Sequence, residues 1–135
     1  MLKVLTVILW ALSVQCLASG GGGGSEASAG SIYITFKPPL IANFGGPGRL
    51  KYLKADFSLR VDNSEVAGAV QHNMPLIRNN LLALMARQTD ETMSGQPGKE
   101  ALRQEALKEI QSIIKTEADM DGILDLFYNN LLVQK

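Results

Sequence analysis

Hydrophobic and polar residues alternate most regularly over residues 53–61. The apolar members of this alternation are Leu53, Ala55, Phe57, Leu59 and Val61, and the polar members are Lys54, Asp56, Ser58 and Arg60. A period of two predicts a strand with one face on a core and one face in water, as antiparallel sheets allow. A shorter alternation over residues 31–36 predicts another strand, which Pro38 and Pro39 must end because proline offers no hydrogen-bond donor to a sheet.

Helical spacing follows the long strand. Asp62 and Asn63 are both candidate N-caps of a short helix over residues 64–71. Pro75 interrupts that helix and lies in the first turn of a second one, and Pro97 opens a third. The apolar stripes are Met74, Ile77, Leu81, Leu84 and Met85 in the second helix and Leu102, Ala106, Ile110 and Ile113 in the third.

The last segment, residues 123–134, is apolar on both of its faces. This pattern predicts a strand that is covered on both sides. The order strand, strand, helices, strand predicts an α+β fold in which a small antiparallel sheet packs against helices.

Residues 1–18 are predicted to be a signal peptide or a short membrane anchor. Lys3 precedes fifteen almost entirely apolar residues that end at Ala18, which is the arrangement of an export signal. A spanning helix needs about 17 to 25 apolar residues, so cleavage after Ala18, retention as an anchor and lipidation of Cys16 all stay open. Lys3 sets the positive-inside bias and places the following domain in the periplasm in each case. We expect anchorage in the inner membrane, with a soluble periplasmic protein as the alternative.

Composition limits the function of the remaining chain. Residues 19–31 are a flexible linker rich in Gly and Ser, and residues 32–135 are long enough for one compact domain. Thirteen basic and thirteen acidic side chains give a formal net charge of zero, which argues against nucleic-acid binding. Cys16 is the single cysteine, so the domain is predicted to lack disulfides and thiol chemistry.

No residues assemble into a catalytic, cofactor-binding or metal-binding motif in the sequence. The chain has one histidine, His72, for which we expect a surface or helix-capping role. Asp119 and Asp121 lack the further ligands of a calcium loop and are predicted to form a turn. The glycines in residues 45–48 are also turn residues, because no Lys-Ser or Lys-Thr pair and no helix follows them. The sequence therefore predicts neither an enzyme nor a small-molecule substrate, and it leaves protein-interaction residues unassigned.

Six blocks of the chain resemble, in order, blocks of the FliL family of flagellar basal-body-associated proteins. They are YITFKPPLIANF (33–44), RLKYL (49–53), HNMPLIRN with LL (72–79 and 81–82), QT (88–89), GKEAL (98–102) and LFYNNLLVQ (126–134). The family ends in a phenylalanine-rich strand that finishes on glutamine, although Asn129 and Leu131 stand here where Thr and Phe are common.

The resemblance implies a flagellar motor accessory protein without catalytic activity or cofactor. Family members are single-pass inner-membrane proteins whose periplasmic domain is similar in fold to the stomatin-like (SPFH) domain. The implied partners are the stator proteins MotA and MotB and other copies of the same chain in a ring, and the implied role is support of rotation and motility. A soluble periplasmic binding or chaperone-like module without a motor role is the alternative. A mature N-terminus at Met1 favours the motor protein, and one at Ser19 favours the module.

Overall fold

A computed structural model describes residues 30–135, so the predicted signal or anchor of residues 1–18 and nearly all of the linker lie outside the described residues. The elements are β1 (Ile32–Thr35), β2 (Leu40–Phe44), β3 (Lys51–Val61), α1 (Ser64–His72), α2 (Met74–Ala86), α3 (Asp90–Met93), α4 (Gln96–Ala118) and β4 (Ile123–Gln134). The predicted α+β class is confirmed. Within these residues, no helix is both long enough and apolar enough to cross a bilayer.

β3 is the central strand of an antiparallel sheet. β1 and β2 pair with successive halves of one side of β3, placing Ile34 opposite Leu59 and Leu40 opposite Ala55. β4 pairs along the other side of β3. The sheet is therefore three strands wide, and β4 is one of its edges.

The alternation predicted for β3 is confirmed by burial. Its five apolar side chains are buried, and Lys54, Asp56 and Arg60 are partly exposed on the opposite face. Phe57 lies at the centre of the core, with its ring centroid 6.2 Å from that of Phe36 and 5.1 Å from that of Tyr128. A strand whose side chains alternate between faces thus places one complete face in the core.

The helices begin where the sequence predicts. The Asn63 side chain caps α1 by accepting a hydrogen bond of 3.0 Å from the Val66 amide. Pro75 and Pro97 lie in the first turns of α2 and α4, where proline's missing amide costs no intrahelical hydrogen bond. The predicted stripes of both helices join the apolar face of the sheet in one core, with Met74 only partly buried.

Two short elements were not predicted. β2 begins at Leu40, directly after the prolines that end the first strand, and it pairs with β3 as an independent segment. α3 is a single helical turn between the second and third predicted helices, and it is stabilised by a capping box between Thr89 and Thr92. In β2 the outward residue Ile41 is apolar, so the segment shows no clear alternation, and the four residues of α3 span little more than one helical turn.

The prediction that the last strand is covered on both sides is wrong. Leu124, Phe127 and Leu132 are exposed, whereas Ile123 and Leu126 are buried. β4 is covered by α4 on one face only, as is usual for an antiparallel sheet with helices on a single side.

Candidate interaction surface

The sheet face that points away from the core, here called the outer face, carries large apolar side chains from all four strands. Their exposed fractions are 61% for Tyr33, 57% for Ile41, 39% for Tyr52, 37% for Phe127 and 51% for Leu132. Clustered exposed apolar residues of this size are typical of a surface that binds another molecule.

Strand pairing arranges these residues in two patches. In the first patch, the rings of Tyr33 and Phe127 have centroids 6.3 Å apart. In the second patch, Ile41 and Leu132 lie on either side of Lys54, because both are paired with that residue of β3. Tyr52 lies two residues from Lys54 on the same face and extends this patch.

A polar row lies between the two patches. The hydroxyl of Ser58 is 3.2 Å from that of Thr35, and it accepts a 2.7 Å hydrogen bond from the Asn129 side-chain amide. Ser58 is a polar residue that is buried in the sheet. Its hydrogen bonds therefore satisfy a hydroxyl group that would otherwise be costly to bury. Apolar patches around a satisfied polar centre suit a protein partner better than a small molecule, which needs a concave site.

The sequence did not identify this surface because two kinds of information were missing. The outward positions of the short strands β1 and β2 become visible only once their pairing with β3 is known. Two register shifts between β3 and β4 change which β4 side chains face outward, and nothing in the composition of the strand indicates them.

A side-chain network joins α4 to β4 at one margin of the sheet. The Arg103 guanidinium donates hydrogen bonds to both carboxylate oxygens of Glu100, to Oδ1 of Asp125 at 2.7 Å and to the carbonyl of Leu126 at 2.8 Å. The hydrogen bond from Arg103, with a second from Gln104, lowers the pKa of Glu100 from 4.5 to about 2. The same pairing with Glu100 raises the pKa of Arg103. The network therefore joins α4 to β4 and positions the helix against the strand.

Tyr128 adds a second connection between the same two elements. Its hydroxyl donates a 3.2 Å hydrogen bond to the carbonyl of Lys99, and burial raises its pKa above the ordinary value. A neutral hydroxyl at this position serves packing and hydrogen bonding.

The titratable residues singled out in the sequence lie apart from the outer face. His72 is exposed in the last turn of α1, where it meets the expectation of a surface role. Asp119 and Asp121 form the predicted turn, and their oxygens lie 3.4 and 3.1 Å from Nζ of Lys115. The hydrogen bond with Asp121 is the largest cause of the raised pKa of Lys115. No cluster of His, Cys, Asp or Glu in residues 30–135 could hold a metal ion.

Two shallow pockets also lie in the described part of the chain. One is lined by Gln111, Met120, Asp121, Gly122 and Ile123, and the other by Asn43, Phe44, Gly46, Leu50 and Ala86. The first contains one carboxylate and the second contains no titratable side chain. Neither pocket pairs a nucleophile with a base, which nucleophilic catalysis requires.

Comparison with known proteins points to one family. The family model described as "Flagellar basal body-associated protein FliL" matches residues 33–134, which include all strands and helices of the structure except the first residue of β1. The "Flagellar protein FliL" of Aquifex aeolicus (strain VF5) is 27% identical over 103 residues, covering 76% of this chain. The matched region spans 62% of that relative's own length.

Proposed function

Because the chain belongs to the FliL family of flagellar basal body-associated proteins, we propose that it supports flagellar rotation by associating with the stator proteins MotA and MotB. The match over residues 33–134 carries this proposal, since it covers nearly the whole described domain. The proposal includes retention of residues 1–18 as an inner-membrane anchor, a periplasmic domain with a stomatin-like fold, self-association into a ring and no catalytic activity.

The outer face supports a role in binding another protein. Its exposed aromatic and aliphatic side chains have the composition of protein interfaces, which are enriched in Tyr and Phe. β1 begins immediately after the predicted linker, so an anchored segment would hold this face close to the membrane in which stator units lie. A short flexible tether raises the effective concentration of such a partner.

The short N-terminal apolar stretch favours an alternative in which the segment is cleaved as a signal peptide. Fifteen residues fall short of an ordinary membrane span, as they would in a signal peptide that is removed. The protein would then be a soluble periplasmic FliL-like module that binds other proteins without a motor role.

Deletion of the gene tests the motor role. We expect impaired swimming and swarming, most visible in viscous medium, with flagellar filaments still assembled. Swimming and swarming that stay normal in a strain without a second copy would contradict the proposal. Expression of the full-length gene that yields protein in the soluble periplasm with its N-terminus at Ser19 would favour the alternative.

Complementation of the deletion tests the outer face. Ile41→Ser removes an exposed apolar side chain from this face, and we expect it to restore motility poorly. Leu76→Ser is the matched control, because Leu76 is also exposed but lies on α2. Equal restoration by both variants would exclude Ile41 from the motor contact.

A further inference from the structure

β4 has one side that no other strand of the described residues pairs with. Such an edge presents backbone amides and carbonyls that can pair with another chain. In the first half of β4, Gln111 donates a 3.0 Å hydrogen bond to the carbonyl of Ile123, and Arg103 donates one of 2.8 Å to the carbonyl of Leu126. Two register shifts also interrupt this half. Side-chain caps and bulges both obstruct pairing with a further strand.

The second half of β4, residues 130–134, lacks these obstructions. It pairs with β3 in continuous register, from Asp56 opposite Asn130 to Tyr52 opposite Gln134. Within the described residues, no side chain forms a hydrogen bond to this segment. Residues 126–134 contain neither a charged residue nor proline, the two residue types that most often protect an edge strand. We call residues 130–134 the open edge.

We propose that the open edge pairs antiparallel with the open edge of a second copy of this chain, across a two-fold axis at Leu132. Leu132 then faces Leu132 of the second copy on the outer face. Leu131 faces Val133 on the inner face, and Asn130 faces Gln134 on the outer face. Every pair joins like with like, since apolar residues meet apolar residues and amides meet amides.

Other two-fold registers are less complementary. Directly opposite residues must share a face of the sheet, so the axis can move only in steps of one residue. An axis at Leu131 sets Asn130 against Leu132, and an axis at Val133 sets Leu132 against Gln134. Both place an amide beside a leucine, and of these three axes only the one at Leu132 avoids this mismatch.

The paired chains share one continuous sheet. The second patch of one copy, which contains Leu132, then joins the second patch of the other copy on the outer face. This pairing gives a structural form to the self-association in the proposed function, and it rests on that part of the proposal alone. It does not require binding to a stator protein. A two-fold contact uses the same surface on both copies and closes on itself, so a larger ring must use a second surface of the domain.

Disulfide crosslinking of the purified full-length chain tests the pairing. In a Cys16→Ser background, Leu132→Cys places two thiols across the axis at a distance that a disulfide can span. We expect oxidation to give a covalent dimer. Ile41→Cys is the matched control, because Ile41 is similarly exposed on the same face but lies in β2, away from the open edge.

The register is tested by mixing two single-cysteine proteins. Asn130→Cys and Gln134→Cys should crosslink with each other, because these positions face one another in the proposed pair. Each alone should crosslink poorly, since its two copies lie about 13 Å apart along the strands, beyond the roughly 7 Å limit for a disulfide.

A charge at the axis should prevent association. Leu132→Lys places like charges opposite each other, and we expect it to weaken dimerisation by about tenfold, with little change for Ile41→Lys. Equal crosslinking at positions 132 and 41, or crosslinking of Asn130→Cys with itself, would overturn the proposal. Failure of Leu132→Cys to give any covalent dimer on oxidation would overturn it as well. These measurements use purified protein, so they fail or succeed independently of motility.

Discussion

At the residue scale, Gly98 allows α4 to pack closely against α3 because glycine has no side chain. It lies in the first turn of α4 against the end of α3. A Cβ at this position would overlap the carbonyl oxygen of Thr92 and lie 2.6 Å from its carbonyl carbon. The close approach of the two helices therefore requires glycine.

Gly98→Ala should destabilise the domain by about 1 to 3 kcal/mol, because the new methyl group meets backbone that cannot move aside cheaply. Gly68→Ala is the control, since Gly68 lies in α1 with nothing within 4 Å of an added Cβ. There the change should stabilise the domain by about 0.5 to 1 kcal/mol through the higher helix propensity of alanine. Urea unfolding midpoints measure both effects. A Gly98→Ala midpoint at or above that of the unmodified protein would show that α3 can shift freely.

At the element scale, the attachment of α4 to β4 depends on ionised groups. Glu100 orients Arg103, and Arg103 in turn holds Asp125 and the carbonyl of Leu126. The pKa of Glu100 is lowered in the folded state from 4.5 to about 2. A lowered pKa means that the unfolded chain binds the proton more tightly than the folded chain.

The stability that Glu100 contributes should therefore be complete above about pH 4.5 and disappear as the pH falls toward 2. Glu100→Gln should flatten part of the dependence of the unfolding free energy on pH in that window. The effect should be small, because Glu100 is exposed and water screens its ion pair. Glu105→Gln is the control, since Glu105 is exposed on the same helix and forms no ion pair within the described residues. Identical pH profiles for both variants would contradict a role of Glu100 in acid stability.

Some strands and helices of the domain could be predicted from the sequence, and others could not. The long strand β3 and the apolar stripes of α1, α2 and α4 could be predicted because each repeats a periodic signal. The start of α1 could be predicted because Asn63 is a favoured N-cap residue. β2 and α3 could not, since apolar Ile41 interrupts the alternation in β2, α3 spans little more than one helical turn, and both depend on contacts with β3 and α4.

At the scale of the whole molecule, a single core joins all four strands to the helices. Its buried members extend from Ile34 in β1 to Leu126 in β4. Within the described residues, this core contains the apolar contacts that a stable fold of this size requires.

The fragment of residues 31–135 should therefore fold without the N-terminal segment. We expect a sigmoidal transition in urea that coincides when followed by far-UV circular dichroism and by tyrosine fluorescence. A fragment that binds hydrophobic dyes and unfolds without a clear transition would show that residues 1–30 contribute to the core.

The sequence by itself determined the class of the fold, the central strand, the principal helices and the family. These features depend on periodic burial and on ordered local blocks, both of which are properties of neighbouring residues in the chain. The residue inventory of the domain, with one histidine and no cysteine, was equally a property of the sequence, and it directed the prediction toward a binding role.

Only the tertiary structure decided where the exposed apolar patches of the outer face lie. The outward direction of Phe127 and Leu132 depends on register shifts in β4, because a slip of one residue moves every following side chain to the other face. The open edge likewise exists because Arg103 and Gln111 reach only the first half of β4 from α4. These contacts join residues distant in sequence, so no local pattern contains them.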